Sequence, residues 1–596
     1  MMKTSLPKTD DARRNGRQPE WWEVQRLESQ GCTADDWSRV TISPDTDLSR
    51  IHHIDFMGDV IIGPLGGEYG GRLSHAIISD SVLEAGVTVM NVPGGLKNAV
   101  VRQGAVIMNT DRIEYEPEAE CGVGVEVAVL DESGSRRVLL WSGLSAQLAA
   151  LIARTPQGAD SPAWETLVAD HLEQTSVPAE IGERAEIRDC GVLKNVSVGP
   201  FCAVTGASRL ENGALINNAP SEKILPFIGH GVDAVNFIVE DGRIDSNSII
   251  RNCYVGQGVE IEKGFTAHDS LFFANCSMEN GEACAVFAGP YSVSMHKSTL
   301  LIGCMLSFMN AGSATNQSNH MYKLGPVHWG ILERGVKTSS NSYLMLGAKI
   351  GAFSLLMGDH KTHPDSSEFP FSYLFGDEKG ATVVVPAMML RSCGLMRDEK
   401  KWPTRDRRVK RRLPLHDRIT FEVLNPHTVS HILRALETIG ELLTRPADDD
   451  RFVRYKGMKL TRASLERARK IYSLAIYKYL HTKLGDRPFP EPELDENGEP
   501  VKPWRWIDIA GQVVPAHVLK DIEKGSVTEA ETLLDSIQER YADLEYRWIG
   551  QAFGPYWRER RDRVAHEAAR FDEMVDEDRQ SYREQLNAEN AMLRLL

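Results

Sequence analysis

The sequence of 596 residues lacks long apolar runs: no stretch of 18 consecutive apolar residues occurs, so we expect no transmembrane helix. The first residues, MMKTSLPKTDDARRNGRQPE, are polar and do not contain the apolar core of a secretory signal. The nine cysteines include no CxxC pair, which argues against a disulfide framework or a structural zinc site and fits a reducing compartment. These absences predict a cytoplasmic protein that does not span a membrane.

Positive charge is also in short supply. Lysine and arginine number 68 against 83 aspartates and glutamates, a net charge of −15, so a nucleic acid or an anionic membrane is not a favoured partner. The run Lys400 to Arg412 departs from this balance, with eight basic residues and one acid. We interpret it as a solvated basic linker with a phosphate or interdomain contact, and nucleic-acid binding as a minor alternative.

What the sequence does contain is a repeat of six residues, the spacing of hexapeptide β-helices. One inward aliphatic and a turn containing glycine recur at each step, whereas a helix repeats at 3.6 residues and a simple strand at 2. Glycine and asparagine suit the corners because both tolerate positive φ. The three registers are Ile77, Leu83, Val89, Gly95, Val101, Ile107 and Ile113; Val192, Val198, Val204, Leu210 and Ile216; and Ile249, Val255 and Ile261. The pattern predicts a β-solenoid in which a rung of 18 residues buries three aliphatics.

The repeat divides the chain. Thr33 is expected to cap a helix that begins at Ala34. Between the first two registers we expect a hairpin of 123–129 with 137–141 and helices over 142–154 and 164–173, which can cover an open edge of the solenoid. Helical spacing also predicts helices over 426–443, 461–484, 518–549 and 557–589. The expected domains are a tail and helical cap over 1–50, β-helix over 51–119 and 179–398, an inserted α/β segment over 120–178, the basic linker over 399–416 and a C-terminal α-helical domain over 417–596.

Titratable and amide side chains cluster between Gly289 and Tyr373, which holds five of the 17 histidines. His320, next to Asn319 and followed by Lys323, offers a general base together with hydrogen-bond donors for an oxyanion, the groups that acyl transfer requires. His328 can lie on a neighbouring rung. The alternative is that these side chains form hydrogen-bond ladders along the solenoid.

Two further patterns in this stretch point to ligands. His360 and His363, joined by His296 or His328, are candidate ligands of a divalent metal ion, although the HxxH spacing suits a turn equally well. Lys297, Arg334 and Lys337 are candidates for binding a phosphorylated or nucleotide-linked substrate, because arginine grips phosphate with two N–H groups. The alternative for these three is exposed charge on an acidic protein.

The runs NAGSATNQSNHMYKLGPVHWGILERGVKT, GAFSLLMGDHKTHPDSSEFPFSYL and KKWPTRDRR resemble a bacterial family of uncharacterised proteins with a hexapeptide-repeat domain of unknown function and a helical tail. The resemblance covers about 27–412. It implies a left-handed parallel β-helix similar to trimeric acyltransferases and to the acetyltransferase half of bifunctional N-acetylglucosamine-1-phosphate uridyltransferase. The run His320 to Gly325 is loosely similar to the catalytic histidine region of that acetyltransferase, with different local spacing, and no glycine-rich nucleotidyltransferase motif is present.

Three functions therefore stay open. The first is an acyltransferase that uses acyl-coenzyme A as donor and a sugar nucleotide or another phosphorylated molecule as acceptor, with His320 as base. The second is a metal-dependent enzyme that uses clustered histidines. The third is a non-catalytic scaffold, which the helical tail favours slightly. The fold resemblance implies a homotrimer.

Overall fold

Short parallel strands, stacked rung upon rung, make up most of the chain. The computed structural model describes residues 16–219, 226–319, 328–446, 451–523 and 527–593. It consists of a parallel β-solenoid of about 18 turns followed by a C-terminal helical region. The predicted β-solenoid, with an inserted segment and C-terminal helices, is therefore confirmed.

The strands are numbered β1 to β43 in chain order. Strands β1 to β10 of the first solenoid part are Thr33–Ala34, Val40–Ile42, Ile51–Met57, Val60–Ile62, Arg72–Ser79, Val82–Leu83, Thr88–Lys97, Val100–Val101, Val106–Met108 and Arg112–Glu114. The insertion contributes the antiparallel pair β11 and β12, Glu126–Val127 and Val138–Leu139. The second solenoid part and its closing hairpin contain β13 to β39: Glu180–Ile181, Glu186–Arg188, Val192–Val198, Ala203–Thr205, Arg209–Ile216, Phe227–Ile228, Asp233–Glu240, Arg243–Ile244, Ile249–Val255, Glu260–Glu262, Thr266–Phe272, Ser277–Glu279, Glu282–Cys284, Phe287–Ala288, Val293–Ser294, Leu300–Ile302, Cys304–Leu306, Asn310–Ala311, Asn316–Ser318, Gly330–Leu332, Lys337–Thr338, Tyr343–Met345, Lys349–Ile350, Leu355–Met357, Asp359–His360, Tyr373–Gly376 and Thr382–Val385. The helical region adds the hairpin strands β40 to β43: Phe452–Tyr455, Met458–Thr461, Trp506–Ile509 and Gln512–Pro515.

The α-helices are numbered α1 to α12. They are Trp21–Ser29, Ala146–Arg154, Glu165–Gln174, Cys393–Thr404, Arg407–Arg411, Pro426–Thr444, Arg462–Leu484, Leu519–Ile522, Val527–Glu539, Tyr541–Ala552, Pro555–Arg558 and Val564–Leu593. None of the described helices combines the length and hydropathy needed to cross a bilayer.

The solenoid core is a stack of inward aliphatic side chains in parallel register. Val89 pairs with Ile107, 18 residues on, whereas Ile228 pairs with Ile244, 16 residues on. All four side chains are fully buried, and the repeat of six had placed Val89 and Ile107 inward. Because the rung length varies, the predicted phase is wrong at the start of each register. Ile249 is 43% exposed and its neighbour Ile250 faces the core. In the same way the core-facing residues are Ile78 and Leu193, next to the predicted Ile77 and Val192.

One corner of the solenoid carries a ladder of asparagines with positive φ. Asn212, Asn236 and Asn252 have φ values of 47°, 56° and 51°, which their short polar side chains tolerate. The Nδ2 of Asn212 donates to Asn236 Oδ1 at 2.8 Å, Asn236 donates to Asn252 at 2.9 Å, and Asn252 donates to Asp269 at 3.1 Å. Side-chain ladders along the solenoid, the alternative considered for polar residues of the histidine-rich stretch, are thus present in this chain.

One outer face of the solenoid is apolar and covered. Its residues lie in register on successive rungs: Ala214, Ile238, Tyr254, Leu271, Phe287 and Met305. They share a second core with α2, α3 and β11–β12 of the insertion and with the β42–β43 hairpin. The insertion thus packs on a broad face of the solenoid and not on the open edge that was predicted.

Polar bonds hold the insertion to the C-terminal region. Ser145, the N-cap of α2, donates its hydroxyl to Glu531 at 2.9 Å. The buried Gln147 donates to the carbonyls of Arg418, Ile509 and Ala510 at 3.1, 3.4 and 3.3 Å. Three segments that are far apart in sequence therefore form one packed unit.

Several helix predictions are confirmed and others are wrong. Helices α2, α3, α6 and α7 lie where the spacing placed them. Thr33 does not cap a helix, because Thr33–Ala34 pairs in parallel with Asp55 and Phe56 as the first rung. The helix predicted over 518–549 is divided into α8, α9 and α10, and the one predicted over 557–589 begins as α11 and continues as α12 after a break.

Candidate functional site

A cavity of about 210 Å³ lies where the covered face ends. Met305 pairs with Ile331 on the next rung, and Ile331 pairs with Lys349 on the rung after that. The apolar face therefore ends at the charged Lys349. The walls come from this part of the solenoid, from the first turns of α6 and from the β42–β43 hairpin. The cavity is therefore a junction between the solenoid and the helical region.

Two elements position the residues at the floor of the cavity, which are Glu333, Arg334, His427 and His431. Glu333 and Arg334 follow β32 at a solenoid corner. Asn425 caps α6 through a reciprocal pair of bonds with Thr428, and Pro426 occupies the first turn, so the helix start is well defined. His427 and His431 lie four residues apart on α6, hence on one face of the helix, with ring centroids 4.6 Å apart.

Backbone carbonyls orient both imidazoles. His427 donates its Nδ1–H to the carbonyl of Trp506 at 3.3 Å, and His431 donates its Nδ1–H to the carbonyl of Ser367. Since a carbonyl oxygen only accepts, each ring carries a proton on Nδ1, which leaves Nε2 for a second partner. Burial lowers the pKa of His431 to about 4, so this ring is neutral at pH 7.

Glu333 provides the negative charge of the floor. Burial raises the pKa of this half-buried carboxyl, but His431 and His427 outweigh burial and hold the pKa below its usual range. Its Oε2 accepts from the Ala352 N–H at 3.2 Å and lies 3.5 Å from His427 Nε2. One ligand atom from each of Glu333, His427 and His431 lies within 4.8 Å of the others.

Cations dominate the rest of the lining. Arg334 is fully buried; one of its nitrogens donates to the Thr420 carbonyl, and its Nε lies 3.7 Å from Asp508 Oδ2. Its Nε and Nη1 have no hydrogen-bond partner among the described residues. Four exposed cations surround the mouth and form no ion pair with any residue of the described ranges: Arg154, Lys349, Arg434 and Arg505.

The structure separates the three residues predicted to bind phosphate. Arg334 lies in the cavity. Lys337 instead forms an ion pair with Asp398 of α4 at 2.7 Å, and Lys297 is exposed on the solenoid surface. Only Arg334 of the three lines the cavity.

Two of the four residues predicted for acyl transfer belong to the part of the chain that the structure describes. His320 and Lys323 lie outside the described residues. Asn319 is buried and its side-chain amide donates to Glu132 of the insertion, whereas its main-chain carbonyl accepts the backbone N–H of His328 at 2.8 Å. The roles of these four residues stay predictions.

His360 and His363, which were predicted to bind a metal, lie on one rung of the solenoid, and His328 lies two rungs away. The Nδ1 of the buried His360 bonds Thr382 at 3.0 Å, and burial lowers the pKa of His360 to about 4. His363 donates to the Leu346 carbonyl at 2.6 Å, and its ring centroid is 5.5 Å from that of His328. Within the described ranges, the group of three potential ligands that meets is a different one: Glu333, His427 and His431.

The basic run packs against the solenoid. It spans the end of α4 and all of α5. Arg407 pairs with Glu260 at 2.7 Å, and the buried Arg408 pairs with Asp406 at 2.8 Å. These arginines bind protein groups, which leaves them poorly suited to contact a nucleic acid.

Glu333, His427 and His431 were not among the site residues predicted from the sequence. The two histidines do carry a signal, because HxxxH at the start of a helix places two rings on one face. Glu333 carried none, since its partners follow much later in the chain. The site is formed by tertiary packing of α6 on the solenoid.

Comparison with known proteins places the floor of this cavity within a family domain. Residues 17–443 match the family described as "Domain of unknown function (DUF4954)". A relative from Treponema pallidum (strain Nichols), named "Uncharacterized protein", is 21% identical over 451 residues, which cover 71% of this chain and 61% of the relative. The chain thus spans about 61% of the length of that relative. The family match covers well over half of the sequence, and the chain therefore belongs to the DUF4954 family.

Proposed function

We propose that the cavity binds a small phosphorylated ligand. The observation that carries this proposal is the buried Arg334, whose Nε and Nη1 have no hydrogen-bond partner in the described part of the chain. A buried guanidinium with unused N–H groups is costly, and a phosphate offers it two parallel acceptors. The Asp508 carboxylate at 3.7 Å supplies charge but no hydrogen bond.

The mouth of the cavity supports a multiply charged ligand. Arg154, Lys349, Arg434 and Arg505 stand around it without ion-pair partners in the described ranges, in a protein of net charge −15. Together with Arg334 they exceed the two carboxylates of the lining, Glu333 and Asp508. A concave site with this balance concentrates anions and favours a phosphate dianion over a single carboxylate.

The test is calorimetric titration of the full chain with inorganic phosphate and pyrophosphate in a buffer that contains a chelator. We expect pyrophosphate to bind, and Arg434→Gln and Arg505→Gln each to raise its Kd about tenfold or more, because a hydrogen bond to a charged group contributes about 1.5–3 kcal/mol. Both side chains are exposed, so the fold is expected to persist.

Arg72→Gln is the matched control, since Arg72 is an exposed arginine on β5 of the first solenoid part. It changes the net charge equally and is expected to leave the Kd unchanged. Equal Kd values for all three variants, or no binding by the unaltered chain, would contradict the proposal.

Acyl transfer is a second candidate, supported by the solenoid fold. In this hypothesis His320 is the base, acyl-coenzyme A the donor, a sugar nucleotide or other phosphorylated molecule the acceptor, and the assembly a homotrimer. We expect thiol release from acetyl-coenzyme A with such an acceptor, and a loss of at least about 100-fold in His320→Ala, in line with the about 10²–10⁴-fold typical of a general base. His296→Ala, at an exposed histidine, is the control; equal activity of the two variants would remove His320 from the mechanism.

A further inference from the structure

We infer that Glu333, His427 and His431 form a binding site for a divalent first-row transition metal ion, with open coordination positions that face the anion pocket. The three side chains come from two elements, a solenoid corner and the first turns of α6. One ligand atom of each lies within 4.8 Å of the other two. The site goes beyond the proposed ligand binding because it requires no phosphate to exist.

The hydrogen bonds behind the two rings are those of metal ligands. His427 and His431 each donate Nδ1–H to a backbone carbonyl, of Trp506 and of Ser367. Metal-ligating histidines regularly use the other ring nitrogen in this way, because the bond fixes both the tautomer and the ring orientation. The Nε2 of His427 is buried and has no hydrogen-bond partner within the described residues.

The spacing of the ligand atoms fits a shared ion. His427 Nε2 and Glu333 Oε2 are 3.5 Å apart and form no hydrogen bond. Bonds of about 2.0–2.1 Å to a tetrahedral ion place two ligand atoms about 3.3 Å apart. An ion bound to both atoms would give the buried Nε2 a partner and would neutralise the carboxylate.

The ligand set selects the class of metal. Two imidazoles and one carboxylate suit zinc, iron, cobalt or manganese, whereas calcium and magnesium prefer oxygen ligands throughout. Three protein ligands leave at least one position open, as in catalytic rather than structural sites. This position lies in the same cavity as Arg334.

The surrounding cations couple the metal to the anion. Arg334 and the four mouth cations oppose a bare dication, so an anion in the pocket is expected to strengthen metal binding. Reciprocity then requires that the metal strengthen anion binding by the same factor. This coupling rests on the proposed phosphate binding, whereas the metal site itself does not.

The test is zinc titration of tag-free full chain after chelator treatment, in a buffer without phosphate, with elemental analysis after desalting and cobalt absorption as a second readout. We expect one ion per chain. His427→Asn and His431→Asn keep a donor near the Nδ1 position and remove Nε2, and Glu333→Gln keeps an acceptor for Ala352 and removes the charge. Each variant is expected to raise the zinc Kd at least 100-fold, beyond the about 10–100-fold that a lost second partner of a ligand costs.

His363→Asn is the matched control, because His363 also donates Nδ1–H to a carbonyl, that of Leu346, and belongs to the other predicted histidine pair. We expect it to bind one ion, and circular dichroism establishes that each variant is folded. Fewer than about 0.2 ions per unaltered chain, or loss of zinc in His363→Asn but not in the α6 variants, would overturn the inference. Two titrations of the unaltered chain separate the two proposals. Zinc binding without any anion affinity rejects only the phosphate proposal, and pyrophosphate binding in chelator without any zinc affinity rejects only the metal site.

Discussion

Glu240→Ala is expected to lower the free energy of unfolding by about 3–5 kcal/mol, the range for removing one partner from a buried charged network. Glu240 is fully buried. Its carboxylate accepts from Tyr254 Oη at 2.7 Å, from the Gly143 N–H at 2.8 Å and from Asn218 Nδ2 at 2.8 Å, and it lies 3.1 Å from His416 Nε2. The variant leaves four polar groups without this acceptor and removes the bond from Gly143 of the insertion to the solenoid.

Chemical denaturation monitored by tryptophan fluorescence measures this loss. Glu173→Ala, at an exposed position of α3, is the control and is expected to stay within about 0.5 kcal/mol of the unaltered chain. An equal effect of the two substitutions would show that the network of Glu240 does not stabilise the fold.

The same network predicts how stability depends on pH. Burial raises the pKa of Glu240 and lowers that of His416, but their mutual contact outweighs burial: the pKa of Glu240 lies below its usual range and that of His416 above. The contribution of His416 is therefore complete below its ordinary value of about 6.5 and is lost as pH rises through the raised pKa. The contribution of Glu240 is present above about 4.3 and is lost as pH falls through the lowered pKa.

We therefore expect this pair to stabilise the chain most between about pH 4.3 and 6.5. His416→Gln tests the upper limit, because the glutamine amide retains an N–H donor for Glu240 and cannot be charged. The stability difference between the unaltered chain and this variant should shrink as pH rises above about 6.5. A difference that stays constant up to pH 9 would contradict the assignment.

Asp417→Ala is the second substitution with a large expected effect, a loss of about 2–6 kcal/mol, because each buried N–H left unpaired costs about 1–3 kcal/mol. The buried carboxylate accepts from the Ala146 N–H at 2.7 Å and from the Ala274 N–H at 2.8 Å. It thus joins the start of α2 to a corner of the solenoid.

Thermal unfolding and limited proteolysis of the insertion measure this effect. Asp417→Asn should cost less, since the amide oxygen still accepts one of the two bonds. Asp45→Ala, at an exposed aspartate, is the control and is expected to leave the melting temperature unchanged. Unaltered melting of Asp417→Ala would remove this carboxylate from the forces that hold the insertion.

Local periodicity predicted the elements but not their packing. Helix α6 follows from apolar residues at helical spacing, and the inward Val89 and Ile107 follow from the period of six. Ile249 was assigned inward because the period was taken as constant, whereas corners of variable length shift the phase between rungs. The division of α8, α9 and α10 also escaped the pattern, because similar charged and apolar residues continue across the breaks.

The candidate site was predictable only where one residue is informative by itself. Arg334 stands out as an arginine within a strand-rich segment, and it lies in the cavity. His427 and His431 resemble ordinary polar positions of an amphipathic helix until α6 is seen against Glu333. The HxxxH spacing indicates two rings on one face of α6, but nothing in the local sequence indicates that Glu333 meets them.

The bonds from Ser145 and Gln147 to the C-terminal region set an order for synthesis. The Ser145 hydroxyl cannot form its bond until Glu531, 386 residues further along the chain, has been synthesised. At the about 5–20 residues per second of translation, that interval lasts roughly 20–80 s. During most of this time the β42–β43 hairpin, which completes the second core, has not been synthesised. The apolar side of α2 and the outer face of the finished rungs can then be covered only in part. The nascent chain thus exposes apolar surface for much of its synthesis. We therefore expect its folding to depend on chaperones more than a regular solenoid would.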